Sequence, residues 1–196
     1  MKIIFLIFSY FLGTFPSGYV LFWITDKKDI RHFGSGSTGG TNLFRLKGWK
    51  LALPAILFDI LKGALPVYLA LQLFSDLRIA IISGFLAVLG HCFPVYLKFK
   101  GGKGVATTTG VFITLAFEPC LISVATFVII IAISRYVSLG SLLATFSYPF
   151  LILIFNKGEE TFYLSIALFV VIAARHSGNI KRLIQGTERK FGERVK

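Results

Sequence analysis

Apolar residues run through this chain in long continuous blocks, separated by short basic or glycine-rich segments. The blocks fall near residues 3–24, 50–73, 79–97, 105–117, 120–134, 138–155 and 161–175. Continuous runs predict membrane-spanning helices and argue against an outer-membrane barrel, whose strands alternate apolar and polar positions. Three blocks are short. Residues 105–117 would rise roughly 20 Å as a helix, against a hydrocarbon core of about 30 Å. Fusing 105–134 into one helix gives roughly 45 Å, too long for a simple crossing.

The basic residues arbitrate, because they concentrate on the cytoplasmic side of a bilayer. Seven spans place 17 of the 21 lysines and arginines on one side: Lys27, Lys28, Arg31, Arg45, Lys47, Lys50, Lys98, Lys100, Lys103, Arg135, Arg175, Lys181, Arg182, Arg189, Lys190, Arg194 and Lys196. Lys2, Arg78 and Lys157 face the other side, and Lys62 lies within a span. Six spans would split the loops 10 against 10. The expectation is an all-α polytopic membrane protein, a single domain over residues 1–196. It has seven transmembrane helices, with the N-terminus outside and the C-terminus cytoplasmic. Three polar segments then share the cytoplasmic face: Gly34–Asn42, the Lys98–Gly104 loop and the tail from Arg175.

Composition agrees with a membrane class: 55% of residues are hydrophobic, and mean hydropathy is +0.77. In a soluble chain a net charge of +12 would suggest nucleic acid. Here the cations sit in short loops, which points to membrane topology and small anionic ligands, with no nucleic-acid partner. The first block begins like a signal peptide, but it runs on to Ile24 without an A-x-A site and is read as a retained span. Cys92 and Cys120 form no CxxC pair and read as buried small hydrophobes. His32, His91 and His176 lack metal-ligand spacing, so no metal or cofactor is expected. None of the three begins an H-x-x-x-x-D motif, and no pair of carboxylates looks fit for acid–base work.

The segment "GSGSTGGTN" (Gly34–Asn42) matches G-x-G-x-x-G at Gly34, Gly36 and Gly39. No strand precedes it and no βαβ pattern surrounds it, so it is not a dinucleotide fingerprint. Its glycines still permit close backbone approach, and successive N–H groups form an anion-binding nest. Ser35, Ser37, Thr38 and Thr41 add hydroxyls, and Arg45 can fork onto a phosphate. The segment "KFKGGKGVATTTG" (Lys98–Gly110) sets Lys103 among Gly101, Gly102 and Gly104, before a hydroxyl-rich helix start that includes Thr107. It lacks Walker A spacing, yet a lysine among glycines at a helix N-terminus suits phosphate. In "ARHSGNIKRLIQGTERKFG", Asn179 reads as a helix cap and Gly186 as its end. Ile180, Leu183 and Ile184 form an apolar face beside Lys181 and Arg182, as in an interfacial helix. Asp59 and Lys62 share a face of the second span and can pair. His91 reads as a hydrogen-bonding anchor for a loop. Three cation-rich segments at one membrane surface could bind phosphates while apolar spans hold an acyl chain.

"GSGSTGGTN", "GHCFPVYLKFKGGKGVAT" and "GNIKRLIQGTE" closely resemble the three signatures of the bacterial acyl-phosphate-dependent glycerol-3-phosphate acyltransferase family, and Asp59–Lys62–Gly63 matches its D-x-x-K-G pattern. The resemblance covers essentially the whole chain. It departs at Ser37, usually Asn in the family, at Gly40, often Ala, and at Ser177–Gly178, usually a charged pair. The resemblance implies transfer of a fatty acyl group from acyl phosphate to glycerol 3-phosphate, giving 1-acylglycerol 3-phosphate and phosphate. The implied setting is the cytoplasmic face of the bacterial inner membrane, with membrane lipid as partner. Substrate-binding candidates are Ser35, Gly36, Thr41, Asn42, Arg45, Gly101, Gly102, Gly104, Thr107 and Lys181. Lys103 would stabilise developing negative charge. Asn179 and His176 would orient the acceptor, whose proton goes either to His176 or to a donor phosphate oxygen. Asp59, Lys62 and His91 would support the site. Ser35, Thr38 or Thr41 as a covalent nucleophile lacks an adjacent base. Two other classes fit a greasy basic chain: an organophosphate transporter or flippase, and a non-catalytic assembly factor.

Overall fold

The structure is a computed structural model that describes residues 1–193. Arg194 and Lys196 of the expected basic cluster lie outside the described residues. Among the described residues the regular structure is entirely helical. Every apolar block is mainly helical; the first is broken, and the third ends in a short 3-10 turn, Val95–Leu97, after a break at Phe93–Pro94. Helix α1 (Lys2–Thr14) gives way to α2 (Ser17–Asp26) at Phe15–Pro16, where proline has no N–H to continue the ladder. A short amphipathic helix, α3 (Gly40–Lys47), precedes α4 (Trp49–Phe74) and α5 (Leu77–Cys92). Then follow α6 (Val105–Leu115), α7 (Phe117–Ser134), α8 (Val137–Ile154), α9 (Glu159–Arg175) and α10 (Ser177–Ile184).

Five segments are long and apolar enough to cross a bilayer: Lys2–Asp26, α4, Leu77–Leu97, α7 and α8. The pair α9–α10, bent by 65°, makes six if taken as one span. Helix α6 is apolar but has only 11 residues, so length and composition alone support five or six crossings rather than seven. Large apolar side chains such as Leu57, Phe58, Val128, Ile133 and Leu153 lie exposed on the outer faces, as expected for surfaces that meet lipid tails.

Small residues set the helix packing, since glycine lets backbones approach closely. A Cβ on Gly63 of α4 would lie 2.0 Å from the Thr107 carbonyl oxygen, and one on Gly110 of α6 would lie 1.9 Å from that of Ile60. Short α6 is thus pressed along α4, with its N-terminus beside the middle of a longer neighbour. The break in the first span is braced from the same helix. Lys62 Nζ donates to the Phe15 carbonyl at 2.7 Å and pairs with Asp59 at 2.8 Å, while Ser17 Oγ donates to Asp59 at 2.8 Å. Irregular backbone at membrane depth needs such internal partners. Pairing between Asp59 and Lys62 is therefore present and scaffolds the α1–α2 break. His91 Nδ1 approaches the same carboxylate to 3.5 Å without a hydrogen bond.

Candidate active site

The Gly34–Asn42 segment is folded around one amide. Asn42 Oδ1 accepts from the Ser35 N–H at 2.8 Å, and its Nδ2 donates to the carbonyls of Ser37 at 2.9 Å and Phe33 at 3.1 Å. Gly34 and Gly36 take φ of +63° and +72°, a left-handed conformation that glycine adopts without steric cost. The Gly36 N–H is already bonded to Phe33, and Gly36 does not line the cavity described below. The nest expected of Ser35 and Gly36 is therefore largely self-satisfied. Unpaired donors come instead from the start of α3. Gly40 and Thr41 occupy its first two positions, whose N–H groups a helix cannot bond internally. Arg45, one turn on, is buried, and burial pulls its guanidinium pKa down.

The Lys98–Gly104 loop is built differently. The Gly101 and Gly102 N–H groups donate to the carbonyls of Cys92 and His91. Their own carbonyls accept from Arg175, at 2.9 Å from Nη2 and 3.1 Å from Nε respectively. A Cβ on Gly101 would lie 2.2 Å from the His91 carbonyl oxygen, and one on Gly102 would lie 2.1 Å from His91 Nε2. Both glycines are thus consumed in pinning the loop to the end of α5, and neither lines the cavity. The pinned loop delivers Lys103. Its Nζ donates to Asn179 Oδ1 at 2.6 Å, and burial, with help from nearby arginines, pushes its amine down to about 8. Gly104, at φ +90°, starts α6, whose first N–H groups are again free of helical partners. Thr107 is fully buried at the α4 contact rather than in the cavity.

In the third segment Asn179 is not the cap. His176 takes that position, and Asn179 sits in the first turn of α10. Its amide has a donor, Lys103, on one side and an acceptor, Glu188, on the other, at 2.7 Å from Nδ2. That arrangement fixes which way the amide points. Nδ1 of His176 lies 2.8 Å from the Ile172 carbonyl, so this nitrogen carries the proton and Nε2 keeps a lone pair. Burial and the nearby Lys103 charge push the imidazole down to about 4, keeping it neutral. Gly186 ends the helix as expected, with Thr187 N–H on the Arg182 carbonyl and Gly186 N–H on that of Leu183. Lys181 is exposed and lines a separate groove with Ile180 and Ile184.

Beyond Gly186 the chain turns back over the site. Glu188 is buried and accepts from Ser138 Oγ at 2.9 Å, Asn179 Nδ2 at 2.7 Å and Arg182 Nε at 2.8 Å. Burial raises its pKa, but those hydrogen bonds outweigh it and hold the carboxyl below its ordinary value. Phe191 stacks on Phe44 of α3, ring centroids 5.1 Å apart.

These segments enclose the polar mouth of a cavity of ≈ 360 Å³. Ser35, Thr41, Asn42, Arg45, Lys103, Gly104, His176 and Asn179 line it, with Asp59 and His91 on its wall. Lys62 stands behind Asp59. The cavity continues as an apolar corridor past Ile60, Val124, Phe127 and Tyr148. Sequence reasoning missed Glu188 and the hydroxyls Ser138, Ser141 and Thr145. The hydroxyls recur at helical spacing on an otherwise apolar helix, and that stripe was the available signal. Two helix N-termini and two cations converge beside a greasy slot, an arrangement that can hold phosphate at one end and an apolar chain at the other.

The family model described as glycerol-3-phosphate acyltransferase matches residues 3–186. The chain is 41% identical over 191 residues to the glycerol-3-phosphate acyltransferase of Endomicrobium trichonymphae, covering 97% of this chain and 96% of that one. It is 40% identical over 189 residues to the protein of the same name from Thermoanaerobacter pseudethanolicus, covering 96% and 95%. It also resembles the crystal structure of PlsY (YgiH), an integral membrane glycerol 3-phosphate acyltransferase. The glycerol 3-phosphate form gives a TM-score of 0.93 at 35% identity, covering 97% of this chain and 96% of that one. The lysophosphatidic acid form gives 0.89 at 35% identity, covering 98% and 96%.

Proposed function

This chain belongs to the glycerol-3-phosphate acyltransferase family, and from that premise we propose that it transfers a fatty acyl group from acyl phosphate to the 1-hydroxyl of glycerol 3-phosphate. The products are 1-acylglycerol 3-phosphate and inorganic phosphate, at the start of phospholipid synthesis. The observation that carries the reading is one continuous cavity with a cationic, N–H-rich mouth and a mainly apolar corridor. We further propose seven crossings with α6 as the short one, the N-terminus outside, and the mouth facing the cytoplasm of a bacterial inner membrane.

The chemistry is direct. The acceptor oxygen attacks the acyl carbonyl carbon, the new ester bond forms, the bond to the phosphate oxygen breaks, and the hydroxyl proton leaves with the released phosphate. The protein works by positioning and by stabilising charge as it develops. Lys103, Arg45, and the N–H groups at the starts of α3 and α6 receive the two phosphates. His176 presents Nε2 to the acceptor hydroxyl, and Asn179 holds Lys103 in place. A transporter would need charged groups along a path through the membrane, whereas the cations lining this cavity, Arg45 and Lys103, gather at one end.

The test is purified protein given acyl phosphate with and without glycerol 3-phosphate. The expected result is acceptor-dependent phosphate release, matched by an equal amount of lysophosphatidic acid. Folded protein that releases none, or proteoliposomes that move glycerol 3-phosphate without donor, would overturn the reading. His176→Gln at saturating substrates should lose less than about 10⁴-fold in single-turnover rate, the upper range of general-base catalysis. A larger loss would assign the proton to His176.

A further inference from the structure

We propose that Tyr148, braced by Phe112, closes the inner end of the corridor and sets the longest acyl chain that the site accepts. This rests on the acyl-phosphate reading above. On α8 the inward-facing residues Ser138, Ser141, Thr145 and Tyr148 line the cavity. Ser138 marks the mouth, where it bonds Glu188, and Tyr148 lies about 15 Å deeper by helical rise. The next inward residue, Ile152, is buried in the main core and lines nothing.

The neighbouring helices stop at the same level. Helix α6 lines the cavity as far as Thr109, and Phe112, one turn on, belongs to the core. Helix α7 lines it as far as Ser123, and Cys120, one turn back, belongs to the core. Tyr148 touches both Phe112 and Cys120. The rings of Tyr148 and Phe112 stack with centroids 4.1 Å apart, and the Tyr148 hydroxyl lies 3.5 Å from Cys120 Sγ. Both rings are at most 2% exposed. A chain longer than the corridor would have to displace this plug from a packed core, and overpacking a core is costly.

The experiment compares kcat/KM over a homologous series of saturated acyl phosphates. Tyr148→Ala should move the optimum to longer donors and raise the long-to-short ratio by about tenfold or more, since one methylene in a fitted apolar pocket is worth at least about that. Ser141→Leu fills the corridor part-way and should move the optimum to shorter donors. Tyr148→Phe keeps the ring and should keep the wild-type order of donors. Wild-type order in both Tyr148→Ala and Ser141→Leu would overturn the proposal. If Tyr148→Ala does not fold, Ser141→Leu decides alone. Wild-type protein unable to use acyl phosphate at all would defeat the functional reading instead.

Discussion

In the Gly34–Asn42 segment the glycines make turns. Gly34 and Gly36 sit at positive φ, and the loop wraps onto the Asn42 amide. In the Lys98–Gly104 segment Gly101 and Gly102 make close contacts, with their missing side chains filled by His91. In sequence both segments read as glycine-rich phosphate cradles. In the fold the N–H groups of Ser35, Gly36, Gly101 and Gly102 are spent holding shape. Donors without a helical partner stand at the starts of α3 and α6, and the charges are Arg45 and Lys103. A glycine at an anion site therefore need not be the anion's ligand; Gly36, Gly101 and Gly102 here place the groups that are.

The largest effect expected from this contrast is at Lys103. Lys103→Ala should lower kcat by roughly 10²–10³-fold, the usual loss for one donor to developing charge, with the fold intact by circular dichroism. Steady-state rates at saturating substrates check this, and a loss under tenfold would remove Lys103 from the chemistry.

Next comes Gly101→Ala. Its Cβ would meet backbone, so the loop must shift, and a shift of about 1 Å near a site costs roughly 10²-fold. Near-normal activity in that variant would mean that the loop is not pinned.

Third is pH. Burial pushes the Lys103 amine down to about 8, so its charge is present below that pH and is lost above it. Activity should fall as pH rises past about 8, and Lys103→Arg should remove that alkaline limb while lowering the rate. His176, pushed down to about 4, should add no limb near its ordinary value of about 6.5.

The smallest effect is at Gly36. Gly36→Ala carries left-handed strain, about 1–2 kcal/mol, and a mild contact, its Cβ 3.2 Å from the Arg31 carbonyl oxygen. Gly36→Asn should be milder, because Asn tolerates that conformation. Thermal unfolding in detergent separates the two. Equal, severe losses would show that Gly36 is packed like Gly101.

Much of this molecule was legible because its apolar blocks are continuous and its three polar segments are distinct. Each block is mainly helical, and Arg45, Lys103, His176 and Asn179 do meet. What stayed hidden depends on partners distant in sequence. Nothing local in "GGKG" says that His91 and Cys92 take its N–H groups. Asn179 looked like a cap because its neighbours suit a helix start, but its partners are Lys103 and Glu188. Glu188 carries no signal of burial until the chain turns back at Gly186. The short α6 could be read, yet not why it is tolerated, since the α4–α6 packing of Gly63 on Thr107 and of Gly110 on Ile60 is purely tertiary.

The central claim is that the site acts by positioning and charge, without acylating itself. Intact-mass spectrometry of the protein incubated with acyl phosphate alone tests it most directly. The expected result is an unchanged mass and no phosphate release until glycerol 3-phosphate is added. A mass gain of one acyl group, mapped to Ser35 or Thr41 and accompanied by a burst of phosphate, would contradict it.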